Sequence, residues 1–258
     1  MLLLADIGNT NIEIGIMNDK KGDLTVVQSY RYYTRANTTE DEFGFFLLNI
    51  VMLAGYKKDD INLLIFSSVV PPMNSVIQKS FIKYFNKPVY EVNHLTPLPI
   101  KNCYSNPEEV GADRLVNAAA VNQLYKNRNA IIIDMGTATT ICALTSEGDY
   151  LGGIIIPGIR TSSDALTARA ARLPAINISK KSQILQKGTT GAIESGIYYS
   201  TLFGLKGSVD KMIEELNFNE SLIVGTGGYM TLFKDEKLAD IIDDELSIKG
   251  LKIIADTL

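Results

Sequence analysis

Histidine and cysteine are almost missing from this chain of 258 residues: it has one histidine, His94, and two cysteines, Cys103 and Cys142. Two cysteines are too few for a disulfide framework or a cysteine-built zinc site. A reducing cytoplasm suits such a chain. A lone histidine removes poly-histidine metal sites and leaves His-dependent chemistry only to His94 itself. That residue sits in Val92-Asn93-His94-Leu95 beside a proline-containing turn, a setting that reads as surface loop. Basic charge is also short: 25 Lys and Arg against 29 Asp and Glu leave a net charge of −4. With no basic excess to neutralise phosphate backbones, nucleic-acid binding is not expected. Long apolar runs are absent. The uncharged run Phe43 to Tyr56 has 14 residues, short of a membrane span, and the run Ile61 to Gln78 is broken by Pro71-Pro72. The start, Met1 to Asp6, has no positive region and meets an acid after four apolar residues, so no signal peptide is expected. A G-x-x-x-x-G-K-[ST] phosphate loop does not occur, and Gly225-Thr226-Gly227-Gly228 does not fit G-x-G-x-x-G.

What is present supports a folded α/β protein. Hydrophobic residues make up 46% and charged residues 21%, enough apolar material for a sizeable core. The length allows one large domain or two smaller ones. Leu2–Ala5 reads as a buried strand, Asp6–Thr10 as a turn, and the alternation of Ile12, Ile14 and Ile16 as a second strand. Residues 24–33 make a third. Thr39 and Glu42 form a capping box before a helix that Gly55 ends. Strand 63–70, a helix around 76–85 and strand 88–92 follow. Asn106-Pro107-Glu108-Glu109 reads as a helix start, with the helix continuing over 115–125. Then the plan returns: strand 130–133, turn 134–138, strand 139–144, strand 150–156. Helices are expected over 161–173, from about 190 to 216 and from 230 to 242, with strands at 221–224 and 251–255. Leu-Leu-Ala-Asp-Ile-Gly-Asn-Thr at 3–10 echoes Ile-Ile-Ile-Asp-Met-Gly-Thr-Ala at 131–138. Each copy opens a three-strand array. Two mixed α/β units of similar plan, facing one another, are the simplest architecture.

The loops carry the chemistry. An Asp ending a buried strand, followed by Gly and then Asn or Thr, lets backbone N–H groups and a side-chain amide or hydroxyl approach phosphate oxygens. The acid itself repels phosphate, and its task would be a cation bridging the phosphates. A hairpin Asx-turn explains one such loop equally well; two matched loops favour a nucleotide. Gly225-Thr226-Gly227-Gly228 joins a buried strand to a predicted helix, where a phosphate or adenosine can sit, or where glycine simply permits tight packing. Gly111-Ala112-Asp113-Arg114 sets an acid and a cation side by side at a helix start. It is either a helix cap with a surface Arg or a carboxylate base beside an anion clamp. Phosphoryl transfer needs these parts: positioning, charge neutralisation and one base for the nucleophile.

In their order and spacing, Asp6-Ile7-Gly8-Asn9-Thr10-Asn11, Gly111-Ala112-Asp113-Arg114, Asp134-Met135-Gly136-Thr137-Ala138-Thr139, Gly152-Gly153 to Pro157-Gly158 and Gly225-Thr226-Gly227-Gly228 resemble the type III pantothenate kinases. The resemblance runs from Leu3 to Leu251. It implies two ribonuclease-H-like domains of the actin, Hsp70 and sugar kinase type with an interdomain cleft, taken here as residues 1–114 and 115–258. It implies ATP-dependent phosphorylation of pantothenate, the first step towards coenzyme A. By the same resemblance, Asp6, Ile7, Gly8, Asn9, Thr10, Asn11, Ile12 and Glu13 form the first phosphate loop and Thr137 contacts ATP. Asp134 binds an activating monovalent cation, potassium or ammonium, with Mg2+ accompanying the ATP. Asp113 is the general base, and Tyr104, Gly111, Ala112, Asp113, Arg114 and Thr189 contact pantothenate. Gly188-Thr189-Thr190-Gly191 is richer in glycine than the usual family segment, which leaves Thr190 as the alternative to Thr189. Glu194 stands where many members carry Gln. The family implies a cytoplasmic homodimer, while charge and hydropathy lead us to expect neither nucleic acid nor membrane as a partner. Two alternatives remain at this point: a kinase of the same superfamily for another small acceptor, and a non-catalytic ATP-binding regulator.

Overall fold

The computed structural model describes residues 1–169, 174 and 176–258. They form two compact units, Met1–Lys126 together with Glu245–Leu258, and Asn127–Asp244. The first unit runs through β1 (Leu2–Ile7), β2 (Asn11–Met17), β3 (Val26–Tyr33), α1 (Glu40–Leu53), β4 (Leu63–Ser68), α2 (Pro71–Phe85), β5 (Val89–Glu91), the two-residue β6 (Lys101–Asn102) and α3 (Ala112–Leu124). The second holds β7 (Ala130–Met135), β8 (Ala138–Leu144), β9 (Asp149–Pro157), α4 (Ile159–Arg169), α5 (Thr189–Leu216), β10 (Leu222–Thr226) and β11 (Ile241–Ile242). The chain ends in α6 (Leu246–Ala255), which belongs to the first unit.

Both units use one strand plan, that of the ribonuclease-H-like fold. In the first the order is β3-β2-β1-β4-β5, with β1 to β3 antiparallel and β4 and β5 parallel to β1. In the second, β9, β8, β7, β10 and β11 lie side by side in the same order and with the same senses. The correspondence extends to single residues. β1 and β7 share one burial pattern, β2 and β8 another, and the third strand of each array shifts register at matching places, Ile16/Met17 and Ala143/Leu144. The local echo in the sequence therefore marks a repeat of whole units.

The sheet of the first unit is buried on both faces, which is why residues 2–5 of β1 are an unbroken apolar run. Leu3, Ala5 and Ile7 pack with α1 and α2 through Phe43, Leu47, Ile50, Ile77 and Phe81. Leu2 and Leu4 pack on the other face with Val116 and Ala119 of α3 and Ile248, Leu251 and Ile254 of α6. Each fully buried Phe or Ile contributes roughly 1.5–3 kcal/mol relative to exposure. Helix α1 opens with the expected capping box: Glu42 N donates to Thr39 Oγ1 at 3.2 Å, and Thr39 N donates to Glu42 Oε2 at 2.8 Å. That second bond, from the backbone N–H of Thr39, holds the Glu42 carboxyl below its usual range.

Several expectations need correction. Residues 251–255 are helical. Ile248, Leu251 and Ile254 share one buried helix face, a tertiary demand that outweighs the strand-like look of Leu-Lys-Ile-Ile. The helix expected over 230–242 is a 3₁₀ segment, Met230–Glu236, ended by Lys237 at φ 51° and followed by β11. Asn106–Glu109 yields only a 3₁₀ turn, Pro107–Glu109. The helix expected over 161–173 is α4 as far as Arg169; residues 170–173 lie outside the described residues. The units also divide at positions other than 114/115. Helix α3 stays with the first sheet because it packs on α6, closely at Gly250, where a Cβ would collide with the backbone of Val116.

Candidate functional site

Asp6 is the penultimate residue of β1. Strand alternation aims it at the sheet face that carries Leu2 and Leu4, the face covered by α3 and α6. Ser67 of the parallel neighbour β4 stands opposite in register, and its Oγ donates to Asp6 Oδ1 at 2.7 Å. The turn after Asp6 is braced by bonds to its backbone carbonyls and to that of Asn11: Gly8 N donates to Asn11 O at 3.0 Å, Thr34 Oγ1 to Gly8 O at 2.7 Å, and Val69 N to Ile7 O at 3.0 Å. Asn9, Thr10 and Asn11 are exposed at the tip, whereas Ile7 and Ile12 are fully buried in the core, so only their backbone can face a ligand. Glu13 is paired with Arg31 across β2 and β3 at 3.8 Å.

The start of α3 lies at the same end of the sheet. A Cβ on Gly111 would stand 3.6 Å from Val69 Cγ1, just past the end of β4, and would collide with Asp113 Oδ1. Asp113 is the second residue of the helix, and its Oδ1 accepts from Arg114 N at 2.8 Å. Burial pushes the Asp113 carboxyl above its usual range; the Arg114 N–H and the nearby guanidinium oppose that rise without cancelling it. Arg114 is 6% exposed, and its guanidinium carbon lies 5.6 Å from the ring centroid of half-buried Tyr104. Tyr104 is held by its backbone N–H, which donates to Asn102 Oδ1 at 3.0 Å. One unit thus brings together Tyr104, Gly111, Ala112, Asp113 and Arg114, at the sheet end that also bears Asp6. Strand ends of this kind are where α/β sheets take ligands.

The second unit repeats the acidic turn with one residue fewer. Met135 pairs with Thr139, and Gly136 N donates to Ala138 O at 3.0 Å. Two further loops close on it. Thr137 O accepts from Gly158 N at 3.1 Å and from Thr161 Oγ1 at 2.7 Å. Thr226 pairs with Asp134 in register, and Tyr229 N donates to Met135 O at 3.2 Å. Gly227, at φ 90°, lies so close that a Cβ would stand 2.5 Å from Asp134 Oδ1. Thr189 and Thr190 are exposed at the start of α5, which belongs to this unit, whereas Asp113 belongs to the first.

Ser67 escaped the sequence reading. Its signal was a small hydroxyl ending an otherwise apolar strand, Leu-Leu-Ile-Phe-Ser-Ser. The partnership with Asp6 depends on the parallel register of β1 and β4, which composition does not specify.

The sequence model of the type III pantothenate kinases matches residues 2–215. The chain belongs to this family. It is 41% identical over 257 residues to the type III pantothenate kinase of Bacillus cytotoxicus, covering 98% of this chain and 95% of that one. It is 39% identical over 263 residues to that of Desulforapulum autotrophicum, covering 99% and 97%. Among solved structures, a Sinorhizobium meliloti protein bearing the name 2-dehydro-3-deoxygalactonokinase shares the fold at 12% identity, with a TM-score of 0.61 over 100% of this chain and 97% of that chain. As a member of the type III pantothenate kinase family the protein is a kinase, built from two ribonuclease-H-like domains of the actin, Hsp70 and sugar kinase type. Among the described residues no helix is long and apolar enough to cross a membrane.

Proposed function

We propose that this protein transfers the γ-phosphoryl group of ATP to the primary hydroxyl of pantothenate, giving 4′-phosphopantothenate for coenzyme A synthesis. The observation that supports this best is the Tyr104–Gly111–Asp113–Arg114 cluster. It sets a carboxylate with a raised pKa beside a buried cation, in a chain whose relatives at about 40% identity carry the name of this activity. Asp113 accepts the hydroxyl proton as phosphorus–oxygen bonding proceeds. Its raised pKa makes it a stronger base than an ordinary aspartate. Arg114 clamps the pantothenate carboxylate or amide, with Tyr104 flanking it. Thr189, or its neighbour Thr190, adds an acceptor contact.

The turn from Asp6 to Glu13 holds ATP phosphates through backbone N–H groups and the exposed Asn9, Thr10 and Asn11, and Thr137 does the same in the second unit. No group of three or more His, Cys, Asp or Glu that could hold a metal occurs among the described residues. A magnesium ion would therefore be held by phosphate oxygens and water with at most a carboxylate such as Asp6, the usual mode for this ion. Asp134 would hold the monovalent cation through its carboxylate, a hard oxygen donor that lies against Gly227 and the Met135 backbone. When bound, such cations neutralise phosphate charge. Asp134→Asn should blunt the activation that potassium gives over sodium, and equal activation of both forms would remove Asp134 from that role. The protein acts as a cytoplasmic homodimer in this reading.

A coupled ADP-release assay tests the activity. ADP production with pantothenate, and at least about tenfold less with a panel of sugars and short hydroxy acids, is the expected outcome. Turnover of a sugar in preference to pantothenate would make the protein a kinase for another acceptor. ATP binding with no ADP from any acceptor would leave a regulator.

A further inference from the structure

Ahead of α5 the chain runs from Ile176 to Gly188 without regular secondary structure, yet it is fastened to the second unit along its length. Ile176 is buried in the core that α5 helps to form. Lys180 Nζ lies 2.7 Å from Glu236 Oε1, which also accepts from Tyr198 OH at 2.9 Å; these two donors keep the Glu236 carboxyl below its usual range. Lys181 forms an ion pair with Glu194 of α5, and its carbonyl accepts from Tyr199 OH at 2.8 Å. Ser195, 1% exposed, donates from Oγ to the carbonyl of Ile184 at 2.6 Å. These contacts, at Lys180, Lys181 and Ile184, end a few residues short of Thr189.

The end they approach has no closure of its own. Gly188 is the N-cap of α5 and supplies no side-chain cap, and no acid stands in the first turn. An uncapped first turn frays unless something else fixes it. Here the fixing elements are the pegs from Glu194, Ser195 and Tyr199, roughly one to three turns along the same rigid helix.

We propose that Lys181, Glu194 and Ser195 are positioning residues for the acceptor: they hold the strap 181–188 on α5 and so set where Thr189 and Thr190 stand. The inference rests on the reading of those threonines as acceptor contacts. Displacements of about 1 Å in a positioning group can cost up to 10²-fold, so loosening the strap weakens acceptor use and leaves ATP handling alone.

Steady-state kinetics of the full-length enzyme with pantothenate test this, using Lys181→Met, Glu194→Ala and Ser195→Ala, the reversed pair Lys181→Glu with Glu194→Lys, and Thr189→Ala and Thr190→Ala as references. The single strap variants should raise the pantothenate KM about 10-fold, with kcat and the ATP KM within about twofold, and the reversed pair should recover most of the loss. Lys181→Met keeps most of the side chain's apolar stem, so it carries the test if Glu194→Ala fails to fold. A threonine variant with a raised pantothenate KM beside unaffected strap variants would overturn the strap alone. So would equal rises in both KM values, or no recovery in the reversed pair. If neither threonine variant moves the pantothenate KM, the reading of that site fails and the inference with it.

Discussion

Asp113→Asn should lower kcat by on the order of 10²-fold or more while making the protein harder to unfold at pH 7–8. The two effects share one cause. Burial raises the carboxyl pKa more than the Arg114 N–H and guanidinium lower it, so the charged form is the disfavoured one in the folded state. A group whose pKa rises on folding contributes its stability below its unfolded pKa. That contribution is lost as the pH climbs through the folded value. Above the ordinary carboxylate range the wild type therefore gives up stability at this position, and the isosteric amide avoids that cost while still accepting from Arg114 N. The gain in Tm should shrink as the pH falls into the ordinary carboxylate range, where both proteins are neutral at this position. The acid limb of kcat/KM should lie above the range of an ordinary aspartate, because the base is lost on protonation. Near-normal turnover of Asp113→Asn would remove the residue from the base role. A fall in both turnover and Tm would show that its charge supports the fold instead.

Gly227→Ala should damage the second unit far more than Gly228→Ala, one residue away. At Gly227 the backbone sits at φ 90°, and a Cβ would stand 2.5 Å from Asp134 Oδ1, 2.6 Å from Met135 N and 2.7 Å from Met135 C. Two of those three atoms are backbone and cannot swing aside. The backbone conformation alone costs a non-glycine residue of order 1–3 kcal/mol, and the clash must push β7 and the 225–228 turn apart. A Cβ on Gly228 would meet nothing within 4 Å, so that variant should stay within about 0.5 kcal/mol of wild type. Thermal melts and titration with a non-hydrolysable ATP analogue give the readout. Gly227→Ala should melt earlier and bind the nucleotide at least about tenfold more weakly, a loss of ~1.4 kcal/mol. Indistinguishable variants would mean that contact between this turn and Asp134 is dispensable.

Much of the fold could be read where local chemistry and local structure agree. The capping box at Thr39 and Glu42, the alternation of Ile12, Ile14 and Ile16, and the two Asp-x-Gly strand ends all rest on contacts within a few residues, and each element stands where it was expected. The misreadings share the opposite property. Residues 251–255 look like a strand in isolation and become helical because α6 must lie against α3 and β1. The unit boundary follows from the same return of the chain, which joins segments more than a hundred residues apart. At the site, the Asp113–Arg114 pair was visible as a motif. Its energetic balance was not, because desolvation depends on what surrounds it. Ser67 and the strap escaped for a related reason: one needs a parallel register, and the other is held in part through its own backbone carbonyls, which carry no mark in a sequence.

The transfer itself can be followed atom by atom. ATP carrying ¹⁸O in the three terminal oxygens of its γ-phosphoryl group is incubated with pantothenate and the enzyme, and the products are resolved by mass spectrometry and phosphorus NMR. The account predicts one phosphopantothenate per ADP, with all three labelled oxygens on phosphorus and the phosphate attached to the primary hydroxyl. Label released only as inorganic phosphate, or ATP recovered intact while bound, would contradict it.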